Sequence, residues 1–133
     1  MAQASNQTVK TFLAGASFAS KQYFAVQMDT TDNTVKVAGA AAAEGSHVIG
    51  VIQNEPASGE AASVVIGGTT KLSMAAACDV GEKIKSDGNG EGTPVDGDTK
   101  SVIGIALEGS DGDGSIIEVL LTPGGVAQAD ESN

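Results

Sequence analysis

Short runs of β-branched and other apolar residues recur along this chain, punctuated by Gly, Asp, Asn and Ser. They predict strands over Thr8 to Leu13, Gln22 to Met28, Thr34 to Ala38, Val48 to Gln53, Ala62 to Ile66, Thr69 to Met74, Glu82 to Lys85, Ser101 to Leu107 and Ser115 to Leu121. Many short strands at such spacing predict a mainly β fold, a small antiparallel β-sandwich or barrel-like domain. Gly67-Gly68 reads as a turn between two of these strands. Helix is scarce: Ala40 to Glu44 and Met74 to Asp79 have helical propensity, but Gly45 and Gly81 stop each after little more than a turn.

An internal echo organises the second half. His47-Val48-Ile49-Gly50-Val51-Ile52 precedes the turn Glu55 to Gly59 and the run Ser63 to Ile66, while Ser101-Val102-Ile103-Gly104-Ile105-Ala106-Leu107 precedes Gly109 to Gly114 and the run Ser115 to Leu121. Each reads as a strand, a Gly-rich turn and a second strand. Two copies are too few for a solenoid. Gly50 and Gly104 fall inside strands, where Gly marks a bulge, a bend or a close backbone approach. In Ile116 to Leu121 both faces are largely apolar, so this strand is either central to a closed barrel or meets a partner.

At 133 residues and 41% apolar, the chain is one domain's worth of sequence. Domain limits are read as an amino-terminal arm over 1–13, a single β-rich domain over 14–123 and a flexible tail over 124–133. With no Trp, one Tyr and three Phe, the core must come from Val, Ile, Leu and Ala, and added burial in an oligomer would help so thin a core. The net charge is −10, unevenly spread. Residues 1–43 carry three Lys against two Asp, and 44–133 carry four Lys against fifteen acids. An acidic chain without Arg is a poor match for a phosphate backbone or an anionic membrane, so the expectation is a protein partner, with no nucleic acid and no membrane. No run approaches the roughly 20 apolar residues of a spanning helix, and no signal peptide is read at the amino end, so synthesis and assembly are expected in a cytoplasm.

Chemistry-bearing groups are few. Cys78 is the only cysteine, lies after Ala75-Ala76-Ala77 and reads as a buried small hydrophobe. His47 is the only histidine and has no nucleophile beside it except Ser46. Asp87-Gly88-Asn89-Gly90-Glu91-Gly92 matches the opening of a calcium loop, with Asp87, Asn89 and Glu91 as alternate oxygen ligands and Asp98 at the twelfth position. Pro94 interrupts it and no helix flanks it, so a solvated hairpin loop is the preferred reading and no cofactor is expected. Asp111-Gly112-Asp113-Gly114 reads as a hairpin turn, and the pairs Asp96 with Asp98 and Asp111 with Asp113 are read as water-facing carboxylates rather than a glycosidase couple. Gly67-Gly68-Thr69-Thr70-Lys71 lacks the first Gly and the following helix of a phosphate loop. Binding without catalysis is the expectation.

The run from Val48 to Pro123 resembles the small capsid decoration, or cement, proteins of tailed bacteriophages. The pattern is Val48-Ile49-Gly50-Val51, a turn with Gly59-Glu60, the strand Ala62 to Ile66, Lys71-Leu72 to Ala77, Val80-Gly81-Glu82-Lys83-Ile84, Val102 to Leu107 and Val119-Leu120-Leu121. The resemblance implies a β-rich, non-enzymatic virion protein, commonly a homotrimer, on the outer surface of an icosahedral head, where it bridges neighbouring copies of the major capsid protein and stabilises the head. It further implies that an amino-terminal arm is part of the docking surface, here Gln7, Thr8, Val9, Lys10, Thr11, Phe12 and Leu13. The competing reading of Val9 to Leu13 is an edge strand of the domain's own core. A different virion surface module, a head fibre base or a carbohydrate-binding adhesion module, is the alternative function, although sugar sites favour aromatic platforms and only Tyr23, Phe12, Phe18 and Phe24 are available.

Overall fold

The computed structural model describes residues 7–39, 47–95 and 99–127. Its strands are β1 (Gln7–Ala14), β2 (Ala25–Met28), β3 (Thr34–Val37), β4 (Val48–Ile52), β5 (Ala61–Ser73), β6 (Lys83–Ser86), β7 (Gly92–Pro94), β8 (Thr99–Ala106) and β9 (Ile116–Ala127), with no helix among the described residues. Strand order is β1-β3-β2-β4-β5-β9-β8-β6-β7, and β1 also pairs with β5. That extra pairing closes β1, β3, β2, β4 and the first half of β5 into a five-stranded ring. The second half of β5, with β9, β8, β6 and β7, closes likewise through a parallel bridge from Met74 to Gly92. The barrel-like expectation holds, and the protein is two small barrels joined by one shared strand.

Gly67-Gly68 is therefore not a turn. Ala62 to Ile66 and Thr69 to Met74, read as separate strands, belong to the 13-residue β5, and the glycine pair sits where that strand leaves one barrel for the other. Opposite it, β1 has a register break between Thr8 and Val9. A bulge there increases local twist and bend, and Gly accommodates the bend without ending the strand. Two expected boundaries also move: from Gln7 onward the arm is a hydrogen-bonded strand, and β9 runs on to Ala127, four residues into the expected tail.

The two barrels repeat one unit, hydrogen bond by hydrogen bond. Ala14 N–H donates to the Glu60 carbonyl at 2.9 Å and Met74 N–H to that of Ser115 at 2.7 Å, while Gly59 N–H returns to Ala14 at 2.7 Å and Gly114 N–H to Met74 at 2.8 Å. Tyr23 N–H donates to Ile52 and Gly81 N–H to Ala106 at 2.9 and 2.8 Å, and Gln53 N–H to Ser63 and Leu107 N–H to Glu118 at 2.8 and 2.9 Å. Even side-chain caps repeat: Asn54 Oδ1 accepts from Ser63 N–H, and Glu108 Oε1 from Glu118 N–H. The echo of Gly50 and Gly104 is thus part of a duplication covering about 55 to 60 residues per unit.

Equivalent positions fill both interiors. In the first barrel Phe12, Ala14, Phe18, Val26, Val35, Ile52, Ala62 and Val64 are buried together. Their counterparts are Leu72, Met74, Cys78, Ile84, Gly92, Ala106, Ile117 and Val119, all buried. Each fully buried aliphatic side chain contributes roughly 1.5–3 kcal/mol, so both interiors are substantial despite the scarcity of aromatics.

The barrels meet head to tail. On the first, the cross-strand row Ala25, Val51 and Val65 is fully buried and joins the core cluster of the second. The β6–β7 hairpin caps this row: Ala25 N–H donates to the Gly90 carbonyl at 2.7 Å, and Ser86 Oγ donates to the Ala38 carbonyl at 3.3 Å.

Candidate functional site

Among the described residues the chemistry-bearing groups are dispersed. Asp87 Oδ1 accepts from the N–H groups of Asn89 and Glu91 at 2.8 and 3.2 Å, which makes it the organiser of its own hairpin turn. Glu91 Oε2 accepts from Ser73 Oγ at 2.9 Å and ties that turn to β5. Asp98, Asp96, Ser46, and Ala40 to Glu44 lie outside the described residues. No three His, Cys, Asp or Glu side chains converge among the described residues. His47 is exposed at the start of β4, and Asp111 and Asp113 are exposed in the turn before β9. No helix of the described residues is long and apolar enough to cross a membrane.

Cys78 is 7% exposed and occupies the second barrel's counterpart of Phe18. Burial, aided by the nearby carboxylates of Glu82 and Asp79, pushes its thiol pKa up against the lowering effect of the Ser110 backbone. A thiol reagent near neutral pH is expected to label Cys78 at least tenfold more slowly in the native protein than in urea, since the thiolate is the nucleophile. Labelling at the rate of a free thiol would contradict this burial.

The remaining feature is surface. Within β1, Gln7 to Thr11 are exposed, Phe12 is buried, and Leu13 is 46% exposed. Alternation aims Phe12 and Ala14 into the barrel and turns Val9, Thr11 and Leu13 outward. Lys10 Nζ stands 5.4 Å from the Phe12 ring centroid. The register places Thr11 beside Ser63 and Leu13 beside Ala61, giving a mixed apolar and hydroxyl surface on β1 and β5. The residues named for docking are thus brought together, but on a strand of the core sheet. Ile116 and Leu120, on the second apolar face read from the sequence, are 51% and 40% exposed on the outer side of β9 at positions corresponding to Ala61 and Val65, although sequence reasoning did not name them as contact residues. The two apolar faces of β9 were the available signal. Beside them, a shallow cleft is lined by Gln7, Thr69, Lys71, Glu108, Ile116 and Glu118.

The fold is shared with a solved structure. The chain is similar to the head fiber gp8.5 N base of bacteriophage phi29, with a TM-score of 0.63 and 15% identity over 87% of this chain and 94% of that one. No family model and no curated protein matches the sequence. At this identity the likeness is one of architecture: a β protein of the head-fibre-base fold.

Proposed function

We propose that this chain is a structural protein of a tailed-phage virion that binds the outer surface of an icosahedral head and bridges neighbouring major capsid subunits. The observation that carries the reading is the shared fold with a head fibre base over nearly the whole of both chains. The decoration-protein resemblance and the dispersion of reactive groups point the same way. The role is one of attachment, without turnover, by a chain that self-associates, as a trimer in the decoration proteins it resembles. Val9, Thr11 and Leu13 on β1 form the candidate contact, on the less acidic part of the chain. The same fold favours a second reading, the base of a head fibre, in which the chain attaches without reinforcing the lattice.

One experiment separates the two. Purified protein is added to expanded, undecorated cognate heads, which are then imaged and heated. Bridging predicts saturating, symmetric surface density and a raised temperature of head disruption; a fibre base predicts density with no such rise. Absence of binding sinks both. Since Phe12 and Ala14 belong to the core, deleting the first strand would unfold the barrel, and Val9→Ser with Leu13→Ser is the suitable probe of the contact. The double variant is expected to bind heads about tenfold more weakly, through loss of apolar contact area, with its fold intact.

A further inference from the structure

The contact between the two barrels is heterologous, and among the described residues the duplication leaves one half of it uncovered at each end. On the first barrel, Ala25, Val51 and Val65 lie side by side across β2, β4 and β5 and are completely buried by the second barrel. The corresponding row on the second barrel is Lys83, Ile105 and Leu120, side by side across β6, β8 and β9. Here Lys83 is exposed, Ile105 partly buried and Leu120 40% exposed. The β6–β7 hairpin around Ser86 to Glu91 lies against this end of the first barrel, and Ile103 and Leu121 share the buried cluster that takes in the row. Their counterparts on the first barrel are the β2–β3 hairpin from Met28 to Asn33, with Ile49 and Ile66. Met28 is 39% exposed, Asp32 and Asn33 are exposed, and Ile49 and Ile66 are partly buried.

The hairpins correspond at their closing bonds, the first turn being one residue longer. Asp29 N–H donates to the Thr34 carbonyl at 2.8 Å as Asp87 N–H does to that of Glu91 at 2.8 Å, and in both turns the residue before the closing acceptor is left-handed, Asn33 at φ 58° and Gly90 at φ 88°. The substitutions between the two copies are complementary in charge. Where the intrachain contact sets Gly90 against Ala25, the corresponding positions at the two ends are Asn33, which Asp32 precedes in its turn, and Lys83.

We infer that a second copy of this chain docks head to tail, its β2–β3 hairpin seated on the Lys83, Ile105 and Leu120 row of the first and Asp32 facing Lys83. The contact inside the chain is its template, and opposite charge at the two free ends supplies register and specificity. A heterologous contact of this kind closes into a ring or extends into a chain, depending on the rotation it imposes, whereas an isologous one stops at a dimer. The inference rests on the self-association part of the proposed function and not on head binding.

The test uses the full chain with Cys78→Ala. Asp32→Cys protein and Lys83→Cys protein are treated with a short bis-maleimide, separately and mixed. Covalent dimers are expected in the mixture and not in either variant alone. Sedimentation should show that Lys83→Glu weakens association about tenfold through like-charge contact with Asp32, and that adding Asp32→Lys restores it. Cross-linking of Lys83→Cys with itself would mean an isologous contact and overturn the inference, as would failure of the charge reversal to rescue. A wild-type chain that is monomeric at every concentration overturns it too, while leaving head binding to be judged by the imaging experiment.

Discussion

Gly50→Ala and Gly104→Ala are each expected to lower the unfolding free energy by about 3 kcal/mol or more, read as a lower urea midpoint at unchanged slope. Both glycines sit where a strand is pressed against the backbone of the strand after the hairpin. A Cβ on Gly50 would land on the Val65 carbonyl oxygen and stand 2.8 Å from Val64 Cγ1. On Gly104 it would land on the Leu120 carbonyl oxygen and stand 2.9 Å from the Leu120 carbonyl carbon. These neighbours are mostly backbone, so relief requires separating paired strands, not turning a rotamer. The register breaks after Val26 on β2 and after Ile84 on β6 fall beside these glycines, and such bulges bend each sheet tightly enough to close a five-stranded barrel. Gly67→Ala is the control: its added Cβ meets nothing closer than 3.6 Å, and a change within about 0.5 kcal/mol is expected. Midpoints for Gly50→Ala and Gly104→Ala that match the control would show that the close approach is not essential.

A double-mutant cycle at Met74 and Gly92 should show strong coupling. In the first barrel the equivalent pair is Ala14 and Val35, and in the second the large and small members have changed places. A Cβ on Gly92 would stand 2.7 Å from Met74 Sδ and 2.8 Å from Ile84 Cγ2 and Leu72 Cδ2, so Met74 fills the volume that Val35 fills in the other copy. Met74→Ala alone empties that volume and should cost about 3 kcal/mol. Gly92→Val alone overfills it and should cost about 2 kcal/mol. Together they recreate the arrangement of the first barrel, and the double variant should lose only about 2 kcal/mol, well short of the sum. Additive losses within about 0.5 kcal/mol would refute the equivalence of the two interiors.

That exchange also explains why the duplication was only half legible. The runs Val48 to Ile52 and Val102 to Ala106 kept their β-branched pattern and their central glycine because both barrels need the same close approach. Elsewhere the requirement is on summed volume: Ala14 with Val35 became Met74 with Gly92, a small and a large member exchanging places. Such compensations preserve packing density and erase similarity position by position. The candidate surface was legible to the same degree. Alternation in Val9 to Leu13 marked a strand with one apolar edge, but whether it stood apart as an arm or closed a barrel depended on its partner.

The sequence by itself determined the β class, the place of nearly every strand, the isolation of Cys78 and His47, and the uneven charge. These follow from local side-chain preferences and from composition, which need no knowledge of what lies across the sheet. The tertiary structure alone decided that Gly67-Gly68 continues a strand, that Gln7 to Ala14 belongs to a closed ring, and that the free ends of two joined barrels carry Asp32 and Lys83. Each of these is a relation between residues far apart in the chain, and hydrophobic patterning records which face of a strand is buried without recording what buries it.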